Sequence, residues 1–223
     1  MAWWAQTESD DEFGVRVSYE TEWLGDSRER MDAAMAQVAQ EIIATHFTPD
    51  PGARPWPASI YDPIHGTGPT IGFRQPMPDR PYRVRLKEKP SYLPDIFHNC
   101  IITNHVRDAI EALEPGVHQY LPFELYYKDG TPVPGERWYL NICNRLDTIA
   151  PEHCNIGVYP DVGKYFTGNG PPDVKVWKHK VAGHAIWSEW KYNNRTYVSD
   201  ALADALKAMG AHGWAFRQYL PEV

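Results

Sequence analysis

The sequence predicts an α+β protein: a mostly antiparallel sheet with flanking helices and a long proline-rich loop. The first observation is a period of two, in which Tyr82, Val84 and Leu86 alternate with basic residues, as in a strand with one solvated face. The second is a pair of segments, 123–127 and 138–143, that are separated by turn residues and predict an antiparallel hairpin. The third is a pair of amphipathic helical units. Together these elements favour the α+β class.

The N-terminal third is predicted to contain one helix and one loop. Residues 27–47 carry an apolar stripe with a helical period, including Met31, Met35 and Val38. Residues 48–81 then contain nine prolines with glycines between them, a density that excludes regular helix and interrupts sheet pairing. A loop of this length is usually functional or mobile, so we expect either a clasp over the body or part of a binding surface.

Two later segments share one helical design. Ile102, Val106, Ile110 and Leu113 have the same spacing as the set Val198, Leu202, Leu206 and Met209. We expect Thr103 and Ser199 to act as N-caps, and Gly116 and Gly210 to end the helices in a left-handed conformation. Between these units, segments 174–180 and 185–192 are rich in β-branched and aromatic residues around Gly183, which predicts a second hairpin.

Composition indicates an ordinary soluble protein. The chain has 223 residues, of which 43% are hydrophobic and 23% charged, and this length fits a single domain over residues 1–223. We divide it into an acidic segment and helix (1–47), the loop (48–81) and an α+β body (82–223). The chain shows neither a signal peptide nor a run of 18 apolar residues, so no membrane association is expected. Three cysteines without disulfide-like spacing favour a reducing compartment, and the cytoplasm is the expected location.

The negative charge is concentrated near the N-terminus. Net charge is -7, and residues 1–32 hold nine acidic and three basic residues, so the remainder is close to neutral. The chain therefore offers no large basic field for nucleic acid. A concentrated acidic face suits a partner with a basic surface. The candidate contacts are Glu8, Asp10, Asp11 and Glu12; the alternative is a solvated segment that only raises solubility.

Two tryptophans near the second predicted hairpin are further candidates for contacting a partner. Trp187 and Trp190 are an odd number of positions apart, so in a strand they point to opposite faces. Tryptophan is enriched among residues that dominate interface energies, but it also fills cores. We therefore expect at least one of the two to be available for binding while the other is buried.

The sequence predicts no catalytic, cofactor or metal site. Ser199 beside Asp200 lacks a GxSxG turn and is better explained as a helix cap, whereas Cys100 is most simply a small buried apolar residue. Zinc-type donors lack CxxC or HExxH spacing, and the glycines at 66–72 match no phosphate loop. The zinc-type donors are Cys143, His153, Cys154, His179 and His184.

Four segments of the chain resemble one known family. They read LPDIFHNCIITNHVRDAIEAL, QYLPFEL, RWYLNICNRLDTI and TYVSDALADALKAMGAHGWAF. Across roughly residues 92–216 they resemble the bacterial immunity proteins of the family called immunity protein eleven, which are encoded beside polymorphic toxins. The resemblance implies a cytoplasmic, non-enzymatic protein that binds and silences one cognate toxin, often a nuclease delivered by a contractile secretion system.

Two other functions compete with toxin immunity. One is a hydrolase that uses Cys100 or a histidine in a pocket roofed by the proline-rich loop, with His65, His98 and His105 as candidate groups. The other is an interaction module of a larger cytoplasmic assembly. Toxin immunity is the leading hypothesis, because only this function has support from both the resemblance and the clustered acidity. A homo-oligomer is compatible with each of the three.

Overall fold

A computed structural model describes the chain in several ranges. These are residues 1–7, 19–26, 29–30, 33, 82–87, 90, 92–97, 101–159, 164–167, 173–189 and 195–223. The helices are α1 (Asn104–Leu113), α2 (Lys178–Val181) and α3 (Asp200–Ala208), and Pro151–His153 forms a 3-10 turn. The strands are β1 (Ala2–Thr7), β2 (Tyr19–Trp23), β3 (Tyr82–Leu86), β4 (Ile96–Phe97), β5 (Ile101–Thr103), β6 (Gln119–Tyr126), β7 (Arg137–Asn141), β8 (Arg145–Leu146), β9 (Ile156–Tyr159), β10 (Lys164–Thr167), β11 (Ile186–Glu189), β12 (Thr196–Ser199) and β13 (Trp214–Leu220).

Among the described residues, the strands form two large sheets and one separate hairpin. The six-stranded sheet has the order β2-β3-β6-β7-β5-β4, the five-stranded sheet has the order β13-β1-β12-β11-β8, and β9 pairs with β10. Pairing is antiparallel except where β3 meets β6 and β11 meets β8. The architecture is therefore α+β with antiparallel-rich sheets, which confirms the predicted class.

Two predicted strand features are confirmed in the six-stranded sheet. Along β3, Val84 and Leu86 are buried while Arg83 and Arg85 are exposed, which is the predicted alternation. Segments 123–127 and 138–143 fall on or beside β6 and β7, which pair antiparallel with Leu121 opposite Tyr139. Periodicity located these strands well, because each has one face against the core.

The two longer helices follow the prediction, with one exception at a cap. The Ser199 hydroxyl accepts a hydrogen bond from the Leu202 N–H at 3.3 Å, so its role as N-cap of α3 is confirmed. Thr103 occupies the corresponding position of α1 but forms no cap bond; its hydroxyl instead contacts Asp95 and His105. Gly116 and Gly210 have φ of 68° and 67°, the left-handed conformation expected after each helix.

The second predicted hairpin is wrong. Residues 178–181 form helix α2, and Val176 makes only isolated bridges, to Ile149 and Glu222. The strand predicted at 185–192 exists as β11, but it lies between β12 and β8. Both edges of β11 are therefore occupied, and segment 174–180 has no edge on which to pair.

The two large sheets share one core. A single apolar cluster contains Ile102 and Leu140 from the six-stranded sheet, Ile186 and Val198 from the five-stranded sheet, and buried residues of α1 and α3. The helices pack against each other through this cluster. A second cluster, around Trp187, Tyr197 and Leu220, extends the core. The shared core fixes the loops where the sheets meet, and the candidate site lies there.

Several predictions fall outside the described residues. These are the proline-rich loop at 48–81, most of the helix at 27–47, the acids Glu8, Asp10, Asp11 and Glu12, and the residues Trp190, Cys100, His65 and His98. Within the described part of the chain, none of the helices has the length and apolar character needed to cross a bilayer.

Candidate functional site

A buried glutamate joins the two sheets at the end of α1. Glu114 is the C-cap residue of α1 and is only 5% exposed. Its Oε2 lies 3.1 Å from Nε2 of His118 and accepts the backbone N–H of Ile186 at 3.1 Å. Its Oε1 lies 3.1 Å from Nδ1 of His184 and accepts the Asn144 amide at 2.8 Å. One carboxylate thus connects α1, the start of β6, the end of β7 and the start of β11.

The hydrogen bonds assign the proton positions on both imidazole rings. Nδ1 of His118 accepts the backbone N–H of Cys143 at 3.2 Å, so in the neutral ring the proton lies on Nε2 and is donated to Glu114. Nδ1 of His184 faces the same carboxylate and therefore carries the proton that it donates. In this tautomer Nε2 of His184 is the acceptor of the ring, and the side chain is 31% exposed.

Glu114 is ionised despite its burial. Burial by itself would raise the pKa of this carboxyl group, but hydrogen bonds from His118, from the backbone of Ile186 and Ala185 and from Asn144 lower it to about 2. The negative charge is thus stabilised by several hydrogen-bond donors around one carboxylate. A carboxylate behind an imidazole also makes the far ring nitrogen a better hydrogen-bond acceptor.

His184 forms part of the wall of an open cavity of about 500 Å³. Apolar surface dominates the lining, and Leu113, which is 40% exposed, contributes to it. The polar groups around the cavity include Lys178, Asp200 and Glu222, and the amino group of Met1 pairs with both carboxylates. The lining residues are Met1, Leu113, Lys178, Val181, Ala182, Gly183, His184, Ala185, Trp187, Ser199, Asp200, Ala201 and Glu222.

The arrangement is suited to binding more than to catalysis. A histidine oriented by a carboxylate can serve as a general base, but it then needs a nucleophile within hydrogen-bond reach. Ser199 lines the same cavity, yet its hydroxyl accepts the Leu202 N–H as a helix cap. No hydrogen bond joins Ser199 to His184 in the described part of the structure. What the site offers is an apolar cavity with one pre-oriented acceptor.

The structure separates the histidines and cysteines that the sequence offered as catalytic or zinc-type groups. Nε2 of the exposed His105 lies 2.8 Å from the Asp95 carboxylate. The Cys154 thiol donates to the carbonyl of Ala150, and the ring of Trp177 lies against both His153 and His179. Among the described ranges, no three His, Cys, Asp or Glu residues are grouped so that they could hold a metal ion.

Trp187 is a core residue, which corrects its expected role as a partner contact. Its side chain has no exposed surface, its Nε1 donates to the Thr148 hydroxyl at 3.2 Å, and its ring lies 5.9 Å from that of Tyr197. The sequence could not decide between interface and core, because an all-buried strand shows no alternation; all four residues of β11 are buried. The side chain of Trp187 is therefore closed to solvent and lies within the wall of the cavity.

Comparison with known proteins decides the family. The model of the immunity protein family Imm11 matches residues 19–220. The chain belongs to the Imm11 immunity protein family. The match confirms the family that the sequence resembled and extends it toward the N-terminus, since the resemblance covered only residues 92–216. No curated protein matches the chain. Membership of Imm11 indicates a role in immunity to a toxin.

Little in the sequence points to the site in this Imm11 protein. His184 belongs to the set of zinc-type donors, and Glu114 and His118 lie at no recognised catalytic spacing. Glu114 and His184 are 70 positions apart, so their contact depends on how the two sheets come together. The available signal was an acid at the end of a helix, where an ionised carboxylate opposes the helix dipole and needs local donors.

Proposed function

We propose that this protein binds one cognate bacterial toxin stoichiometrically in the cytoplasm and neutralises it without chemical turnover. Membership of the Imm11 family across residues 19–220 carries the proposal. The arrangement around Glu114 supports it, because this geometry provides a rigid acceptor beside an apolar cavity instead of a nucleophile next to a base. A stoichiometric inhibitor needs only a preformed surface, typically about 1,200–2,000 Å² in total area buried on binding.

The toxin that fits this chain has a basic surface, and a nuclease is the proposed class. A nuclease needs a basic groove for its polyphosphate substrate, and an acidic inhibitor can occupy that groove. The support is the excess of acids in residues 1–32, with Glu8, Asp10, Asp11 and Glu12 as the proposed contacts. Complementary charge would accelerate encounter with the toxin and disfavour other partners.

Co-expression tests the proposal directly. The neighbouring reading frame, which should encode the toxic domain, is induced in a susceptible host with and without this protein. We expect the toxic domain alone to stop growth and co-expression to restore it. A catalytically inactivated toxic domain should then bind the purified protein at a ratio of one to one in calorimetry. A neighbour that is harmless alone, or that still kills when this protein is present, would exclude the function.

A second measurement separates inhibition from enzymatic destruction of the toxin. An enzyme that modifies its target protects at substoichiometric amounts, whereas a binder protects only in proportion to its concentration. We therefore expect toxin activity in vitro to fall linearly as this protein is added, reaching its minimum near equimolar amounts. Full protection at one-tenth of the toxin concentration, together with a change in toxin mass, would indicate turnover instead.

A further inference from the structure

We propose that the cavity beside His184 receives an anchoring side chain of the toxin, one with an apolar body and a hydrogen-bond donor at its tip. This inference rests on the proposed function and assigns the surface that performs it. Of the contacts predicted from the sequence, Trp187 lies at this cavity, but its side chain is buried in the core. The cavity therefore gives the toxin interface a second location, independent of the acidic segment.

The hydrogen-bond acceptor for this toxin side chain, the imidazole of His184, is already oriented in the unbound protein. Nδ1 of His184 faces Glu114 at 3.1 Å, and that is the hydrogen bond of the His184 side chain among the described residues. Glu114 is fixed in turn by Asn144 and by the backbone N–H of Ile186. The His184 ring therefore cannot easily rotate its lone pair away from the cavity. Because the ring is already ordered, little conformational entropy is lost when a partner binds to it.

The shape and lining of the cavity fit a large side chain. Its volume of about 500 Å³ lies within the range of about 300–1,000 Å³ that ligand pockets occupy. Val181 and Ala185 contribute buried apolar wall, and Leu113 adds apolar surface that is 40% exposed. A half-buried polar acceptor beside an apolar wall favours a side chain that combines an apolar body with a hydrogen-bond donor, because either feature alone would leave part of the cavity without a matching contact.

The chemistry of interface anchors points to the same kind of occupant. Residues that dominate binding energy are enriched in tyrosine, tryptophan and arginine, and they insert into preformed pockets. Each of these three side chains carries an O–H or N–H donor beyond an apolar stem or ring. An aliphatic anchor would leave the acceptor on His184 without water or partner. The proposed occupant is therefore a tyrosine, tryptophan or arginine of the toxin.

A plugging substitution tests the cavity. Ala201 lines it and is exposed on α3, so Ala201→Trp should fill the opening from the surface without repacking the core. Ala208 is also exposed on α3, two turns further along the same side, and does not line the cavity, so Ala208→Trp is the matched control. The probe is a catalytically inactivated toxic domain from the neighbouring reading frame, titrated against the full-length protein by calorimetry.

We expect Ala201→Trp to weaken binding by about 30-fold or more, the loss typical of one interface anchor, while Ala208→Trp stays within about 3-fold of the parent. His184→Ala should weaken binding by about 10-fold, the value of one hydrogen bond to the imidazole acceptor, whereas His153→Ala at an exposed histidine outside the cavity should not. Circular dichroism and urea denaturation establish that each variant is folded.

The outcomes are distinct. Parent-like affinity of folded Ala201→Trp would overturn the cavity assignment and leave the proposed function intact, whereas failure of the parent protein to bind would overturn the function itself. If Ala201→Trp does not fold, Ala182→Trp provides the same test from the loop after α2, with Ala112→Trp on exposed α1 surface as its control. Parent-like binding by folded Ala182→Trp would then exclude the proposed pocket.

Discussion

The carboxylate of Glu114 and the ring of His184 lie 3.1 Å apart although 70 residues separate them in the chain. The first residue ends α1 beside the six-stranded sheet, and the second precedes β11 of the five-stranded sheet. Their contact is thus a polar connection between sheets that also share an apolar core. It both stabilises the junction and orients the wall of the cavity.

Glu114→Gln should lower stability at neutral pH and remove one source of pH dependence. The pKa of Glu114 falls from 4.5 to about 2 on folding, so the unfolded chain binds more protons in that interval. Its contribution, about 3 kcal/mol, is therefore present above pH 4.5 and is lost as pH falls toward 2. Urea denaturation of parent and variant at pH 3 and pH 7 measures the difference. Exposed Glu136→Gln is the control; an equal gap between parent and Glu114→Gln at both pH values would contradict the assignment.

Ser199→Ala should destabilise the protein by about 1 kcal/mol, because it removes the acceptor for the Leu202 N–H at the start of α3. Ser199→Asp should recover most of the loss, since aspartate is an equally good N-cap and also interacts favourably with the helix dipole. Equilibrium urea denaturation measures both variants. If the alanine and aspartate variants lose the same free energy of unfolding, the Ser199 hydroxyl stabilises the protein in some way other than capping α3.

The sequence predicted the elements of the fold better than their pairing. Val84 and Leu86 revealed β3 because one face of that strand is wet, whereas β11 is buried on both faces and shows no period. The cap at Ser199 was local and was predicted correctly. Thr103 has the same residue pattern, but its hydroxyl donates a hydrogen bond to Asp95 from another segment and does not cap the helix. The Glu114 site could not be predicted, because it is made where distant loops meet.

Gly213→Ala should be severely destabilising. Gly213 has φ of 121°, and a Cβ at this position would overlap the backbone carbonyl of Ile96, which cannot move without breaking β4. Gly210→Ala is the matched control, since Gly210 also has a left-handed φ, of 67°, but open space around its Cα. We expect the control to cost about 1–2 kcal/mol and Gly213→Ala to cost more than twice that or to prevent folding. Soluble yield and thermal melting are compared between the two variants. Similar melting temperatures for Gly213→Ala and Gly210→Ala would contradict the prediction.

Trp187→Phe should lower stability. The substitution removes the hydrogen bond to Thr148 and part of a fully buried ring, and we expect a cost of about 2–3 kcal/mol. Thermal melting and urea denaturation of parent and variant measure the difference. Parent-like stability of the variant would contradict the core role of this ring.

Neutralising the acidic segment should slow association with the toxin more than it speeds dissociation. The variant carries Glu8→Gln, Asp10→Asn, Asp11→Asn and Glu12→Gln. At low salt we expect its association rate constant to fall by about 10-fold, and the gap should close near 0.5 M salt, where screening acts over a few ångströms. The control removes the same charge from four exposed acids elsewhere, Asp108, Glu136, Glu152 and Asp204. Stopped-flow measurements across a salt series compare the two. An equal loss in both would mean that overall net charge governs encounter with the toxin, and the N-terminal acids would then be a solubilising segment.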